Sequence, residues 1–241
     1  MQAAEEFKKN LSEAERLQKE AIIELAEKAW RRPLTEEERD ELRQYPPRLM
    51  LVRVLTSPAF LYRADRIPDE TGPVSDWELA TRLSYFLWSS YPDEQLRVLA
   101  AGGKLRNPDV LAAQARRMMK DDRVYRLATE FGCQWLHVRD LETLDEKSER
   151  HFPTFKALRG DMQQEVTRFF TDLIQQDQSI LSLLDADHTF MNQSLANHYG
   201  MQVADAGWQR VDGMRPAGRG GMLGFAAAQA KKCGDSRNSA I

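Results

Sequence analysis

The chain has 241 residues, 42% of them apolar and 29% charged, with a formal net charge of −3. That length allows one large domain or two smaller ones with real cores, and the apolar share argues against global disorder. The slight acidic balance excludes a typical nucleic-acid reader, which carries a basic excess, and no apolar run reaches the roughly 18–20 residues of a membrane span.

In chain order, residues 3–30 read as one long helix. Phe7, Leu11, Ala14, Leu17, Ala21, Leu25 and Ala29 recur at spacings of three and four, with charged residues on the other face. Packing on a neighbouring helix is the expectation, and Pro33 ends the element. Thr35 and Glu38 have capping-box spacing and start a short acidic helix that stops before Pro46 and Pro47. A third helix over 47–56 is expected to turn Leu49, Val52 and Leu55 inward. Residues 64–74, with Pro68, Gly72 and Pro73, read as a linker.

A second capping box, Ser75 and Glu78, precedes Leu79, Ala80, Leu83, Phe86 and Leu87. Pro92 suits a first helical position, and that helix stops at Gly102 and Gly103. Asn107 with Pro108 starts the next helix, and Asp121 caps another that runs Val124, Leu127, Ala128, Phe131, Trp135 and Leu136 along one side. A charged connection over 139–153 is expected to be anchored by Leu141 and Leu144. Residues 155–174 form the longest helix of this half, and 192–199 a short one between an Asn cap and Gly200. After Gly207 glycines interrupt the pattern. No segment sustains strand alternation, so the fold class is all-α: two consecutive helical modules, a multi-helix bundle, with an irregular Gly-rich C-terminal tail. The boundaries read from the sequence are 1–66 for the small module, 74–205 for the larger one and 206–241 for the opening of a third.

Several strings resemble one family. They are residues 30–35 (WRRPLT), 57–63 (SPAFLYR), 83–93 (LSYFLWSSYPD), 134–136 (QWL), 152–155 (FPTF), 184–187 (LDAD) and 195–200 (LANHYG). Together they resemble the tandem domains of unknown function in planctomycete-type exported multi-domain proteins that accompany c-type cytochrome domains. Arg219–Gly224 resembles the start of a third domain of that series, so the resemblance implies a piece of a longer protein. It further implies a periplasmic or extracytoplasmic setting, although the first residues, MQAAEEFKKN, lack the order of a signal peptide. No cofactor is expected in this chain; any haem c would belong to other domains, since there is no Cys-x-x-Cys-His. Two departures stand out: the stretch from Thr35 to Pro47 is short, and His188 stands where an aromatic residue is usual.

The best chemical candidates are Asp185, Asp187, His188 and His198, with Asn192 nearby. Two carboxylates and two imidazoles suit a divalent metal. The alternative reading is structural: the aspartates shape a turn, Asn192 caps a helix and His198 precedes a Gly stop. Trp88 and Tyr91, at a helix end, form a candidate binding surface for a half-exposed ring. Cys133 reads as a small core residue and Cys233 as a thiol in a polar tail. The leading function is a helical scaffold and interaction module of a larger exported, cytochrome-associated protein. Its partners would be neighbouring domains and a protein or glycan ligand. The alternative is a hydrolytic enzyme segment acting on polysaccharide, metal-assisted through residues 185–198; whether the chain is an enzyme stays open at this level.

Overall fold

The computed structural model describes residues 2–62, 72–143 and 152–232. Cys233, Leu144 and most of the expected 64–74 linker lie outside these residues. The described chain is predominantly all-α, as its patterning implies. It divides into two compact units: one takes the described residues up to Tyr85 together with Ser90–Ala112, the other Phe86–Ser89 and the described residues from Ala113 onward.

The first unit is built on α1 (Gln2–Ala29), α2 (Glu36–Arg43), α3 (Pro47–Thr56) and the short α4 (Pro58–Leu61). Thr35 Oγ1 accepts the Glu38 N–H at 3.2 Å, and the Glu38 carboxylate accepts the Thr35 N–H at 2.9 Å. The same carboxylate takes two hydrogen bonds from Arg32, at 2.8 and 2.7 Å, tying the helix start to the preceding turn. The core joins Ile22, Ile23 and Ala26 of α1 to Leu34, Leu42, Met50 and Val54. This corrects the expected phase of two helices. Leu49, Val52 and Leu55 are exposed on α3, because Met50 and Val54, one turn apart, face the core. On α1 the stripe of Phe7, Leu11 and Leu17 is exposed, since the core takes Ile22, Ile23 and Ala26 near its C-terminal end, with Ala29 packed against them.

Further along this unit, Ser75 and Glu78 complete the second capping box at the start of α5 (Asp76–Trp88). Asp93, not Pro92, begins α6 (Glu94–Ala101): its carboxylate accepts the Leu96 N–H at 3.0 Å, and the proline lies outside the helix. Asp76 is buried and accepts from the Leu105 N–H at 2.8 Å and Arg106 Nε at 2.7 Å, which binds the loop before α7 (Pro108–Met119) to the first turn of α5.

The second unit is organised by α9 (Phe155–Gln175), which carries nine buried residues. Against it pack α8 (Tyr125–Leu127) and the π-helical turn Ala128–Cys133 beyond it, α11 (Gln193–Tyr199) and α12 (Ala226–Lys232). One departure from helix lies beside it: β1 (His188–Met191) and β2 (Gln209–Asp212) pair antiparallel, His188 opposite Asp212 and Met191 opposite Gln209. Each strand has four residues, too few to show a period-two pattern in the sequence.

The Gly-rich stretch beyond β2 has little regular structure, yet Met214, Phe225, Ala226, Ala227 and Ala228 join the core of this unit. Gly221 explains how the chain turns in. Its φ is +64°, and a Cβ there would lie 2.2 Å from the Leu184 carbonyl oxygen, so only glycine lets this backbone lie on the turn after α10 (Ser182–Asp185). Its own N–H donates to Ala186 O at 3.1 Å.

Candidate functional site

Three of the four proposed metal ligands, Asp185, Asp187 and His188, have other partners. Asp185 is exposed and pairs with Arg215, whose Nη2 lies 3.2 Å from its carboxylate while Nε donates to the Asp185 carbonyl at 2.6 Å. Asp187 accepts the Arg215 N–H at 2.7 Å, and its carbonyl takes the N–H groups of Gly213 and Met214. Both aspartates thus shape the turn that receives the Gly-rich segment. His188 is buried and stacks on Phe169 with centroids 5.2 Å apart and planes at 27°. It does there what an aromatic side chain would do. Burial, and then Arg210, push its pKa below the usual imidazole value. His198 lies in the last turn of α11 beside Tyr199, its pKa lowered by burial and by Arg219. The structure does not bring these side chains together: among the described residues there is no group of three or more His, Cys, Asp or Glu that could hold a metal ion.

Trp88 is also corrected. It is fully buried; its Nε1 donates to Met118 O at 3.0 Å, and the Arg123 guanidinium lies 3.4 Å over its ring. Tyr91 is exposed. Trp88 is therefore an anchor of the second unit, not part of a surface. Trp88→Phe is expected to lower stability by about 1 kcal/mol in urea unfolding, because the Met118 carbonyl loses its buried donor.

Sequence reasoning passed over a fully buried acid, Glu165, among the described residues. Glu165 lies on α9 with 1% of its surface exposed. It accepts from Thr189 Oγ1 and from the Tyr199 hydroxyl, both at 2.6 Å. The Tyr199 oxygen in turn accepts the Ala226 N–H at 2.9 Å, and Arg219 lies over the Tyr199 ring at 4.2 Å. One carboxyl thereby links α9, β1, α11 and the start of α12. Burial is the largest influence on it and pushes its pKa up to about 7, against the pull of the two hydroxyl donors and Arg219. The Tyr199 hydroxyl is raised by burial and by that neighbouring carboxylate. A signal did exist: Glu165 interrupts the apolar stripe of Leu158, Met162 and Phe169 at helical spacing. Completely enclosed, this group ties elements together and does not face a substrate.

The π-helical turn changes which side chains of its helix face out. The extra residue of a π turn rotates the subsequent side chains around the helix axis. Phe131 and Trp135, expected along the buried side, are 57% and 48% exposed. Gly132 takes the inward place: a Cβ on it would come within 2.7 Å of the Phe170 ring. Cys133 is buried, 3.3 Å from Thr167 Oγ1, and burial raises its thiol pKa. Beyond the turn, Gln134, His137, Arg139 and Asp140 line an open cleft of about 600 Å³. His137 holds a left-handed backbone at φ +56°.

Comparison with known proteins gives one family. The model of PSD4, described as a protein of unknown function (DUF1592), matches residues 74–201, more than half of the sequence. No curated protein and no solved structure matches the chain.

Proposed function

We propose, for a chain that belongs to the PSD4 family of proteins of unknown function (DUF1592), a role as helical scaffold and interaction module of a larger exported, cytochrome-associated protein of planctomycete type. In that reading the setting is periplasmic or extracytoplasmic, any haem c is carried by other domains, and the partners are those neighbouring domains. One observation carries the proposal. Residues 4–18 of α1 are exposed on every side, yet present Phe7, Leu11 and Leu17, which are 67%, 58% and 56% exposed. Leu49, Val52 and Leu55 of α3 and Phe60 and Leu61 of α4 add exposed apolar surface to the same unit. Scattered surface leucines need no explanation, but a repeated apolar stripe on an uncovered helix is a surface that a partner covers. No helix among the described residues is long and apolar enough to cross a membrane.

The test is made on the full-length protein. Cross-linking through Lys8 and Lys9, which lie on the same exposed stretch, is expected to join α1 to a neighbouring domain. The combined substitutions F7E, L11E and L17E are expected to abolish those cross-links and to change unfolding stability by no more than about 0.5 kcal/mol, as for other exposed positions. Cross-links that stay within the first unit, or that survive the substitutions, would reject the scaffold reading.

A further inference from the structure

We propose that Glu165 and Tyr199 form a proton-operated latch on residues 222–230, which stay docked while the carboxyl is protonated and lift away when it ionises. The device belongs to the second unit and does not depend on the α1 stripe invoked above. Its first part is a carboxyl enclosed without a counter-ion. Glu165 is 1% exposed and meets two hydroxyl donors, Thr189 and Tyr199, with no cation hydrogen-bonded to it among the described residues. Those hydroxyls, Arg219 and the Ala226 amide all favour the ionised form, yet burial outweighs them. The cost of a carboxylate in such an enclosure is removed either by a proton or by water.

The other charged and titratable groups around it do not neutralise it. Arg219 lies over the Tyr199 ring and donates to Gly224 O at 3.3 Å. His188 of β1 stacks on Phe169, and His198 of α11 lies beside the Tyr199 ring. Arg210 of β2 bonds Asp172 and Asp212, each at 3.1 Å. Cys133 of the π turn meets Thr167, and Tyr125 of α8 accepts from Gln164. On α9 itself, Arg168 lies 4.8 Å over the Trp208 ring, and Asp161, one turn before Glu165, is partly exposed.

The second part is a segment that little holds down. Phe225 and Ala226–Ala228 join the core, but three of these four are alanines, which bury little apolar surface. α12 has seven residues, too few to keep a helix in isolation. The chain before it is pinned to the turn at Asp185–Asp187 through Arg215 and Gly221. Apart from local bonds to Gly221 and Arg219, residues 222–230 are hydrogen-bonded to the rest of the described unit at one point, where the Ala226 N–H donates to the Tyr199 oxygen at 2.9 Å. Tyr199 thus meets the carboxyl with its proton and the segment with its oxygen. Breaking that bond and lifting Phe225 off Phe169, where the centroids are 5.0 Å apart, opens a way for water to Glu165. The other partners are held more firmly: β1 is paired with β2, and α11 is capped by Asn192 and Gly200.

Docked, the carboxyl keeps its proton up to about pH 7; with the segment lifted it titrates near the ordinary 4.5. Docking is therefore complete below about pH 4.5, weakens as pH rises through 7 and is level above that. Hydrogen exchange of the whole protein, read by mass spectrometry at pH 5 and pH 8 and corrected for intrinsic rates, tests the latch. Peptides spanning 222–230 are expected to lose about fiftyfold in protection between these pH values, and in Glu165→Gln to change by less than about threefold. They are expected to exchange faster than α9 at both pH values, and independently of urea below the unfolding transition, as a local opening does. Tyr199→Phe is expected to lower their protection at pH 5 by about fivefold, through loss of the bond to Ala226. A loss of protection that Glu165→Gln shares, no loss at all, or full protection in Tyr199→Phe would each overturn the proposal. So would exchange of 222–230 at the rate of α9, because the unit would then open as a whole. None of these results depends on whether α1 docks a neighbouring domain.

Discussion

Glu165→Gln is expected to match the native protein in stability near pH 5 and to exceed it by about 3 kcal/mol near pH 8. In the native protein the carboxyl is fully enclosed and its pKa rises from the ordinary 4.5 to about 7. Between those two values the folded chain keeps a proton that the unfolded chain has released. Stability from this group is therefore complete below about pH 4.5, falls as pH rises through 7, and is level above that. The neutral glutamine makes the same shape without the charge, with its amide nitrogen donating to Thr189 and its oxygen accepting from Tyr199. His188 and His198 work in the opposite sense. Their pKa values are lowered in the fold, so what they contribute is present above the usual imidazole value and is lost as pH falls through it. Both proteins carry those histidines, so the difference between their urea unfolding curves at a series of pH values isolates Glu165. A difference that does not change with pH, or a native protein that is the more stable one at pH 8, would show that the carboxyl is not the titrating group described.

What could be read from the sequence is local chemistry. Thr35 with Glu38, Ser75 with Glu78, Asp121 and Asn192 are all caps, and each works through an oxygen and an amide two or three positions away. Gly200 takes the left-handed conformation at the end of α11 for the same local reason. Facing is another matter, because it depends on which distant element arrives. The leucines at 49 and 55, with Val52 between them, are as regular a stripe as Met50 and Val54, and only the arrangement of the first unit decides between them. The same holds for Phe7, Leu11 and Leu17, which look like a core stripe until the core is seen to bury Ile22, Ile23 and Ala26, further along their helix.

For the candidate site, residue type was a poor guide. Asp185, Asp187, His188 and His198 have metal-ligand chemistry, yet the first three are spent on Arg215, on a turn and on Phe169, and His198 stands in the last turn of α11. The two features that matter, a buried carboxyl and an outward aromatic pair, arise from long-range placement. Glu165 needed the partners Thr189 and Tyr199, 24 and 34 positions away. Trp135 needed a π turn, which has no residue signature of its own.

That π turn makes a sharp demand at Gly132. Replacing it with alanine is expected to cost about 1–3 kcal/mol, the range for forcing extra volume into a filled core. The added carbon would stand 2.7 Å from Cγ and Cδ2 of Phe170, far inside normal contact. Phe170 has little freedom to retreat, being 2% exposed and edge-on to both Phe169 and Trp135. Alanine is otherwise the better helix former by about 0.5–1 kcal/mol, so a loss of stability here would report the collision and not the backbone. Gly160, inside α9 with open space where a Cβ would lie, supplies the control: Gly160→Ala is expected to be neutral or stabilising. Shortening the ring should relieve the clash, so Gly132→Ala combined with Phe170→Leu is expected to be at least about 0.5 kcal/mol more stable than the two single changes added together. Trp135 packs against the same ring, and its emission should shift in Gly132→Ala as the turn is displaced. Additive changes, or equal costs at positions 132 and 160, would mean that the π turn is not held against Phe170 in the way the structure shows.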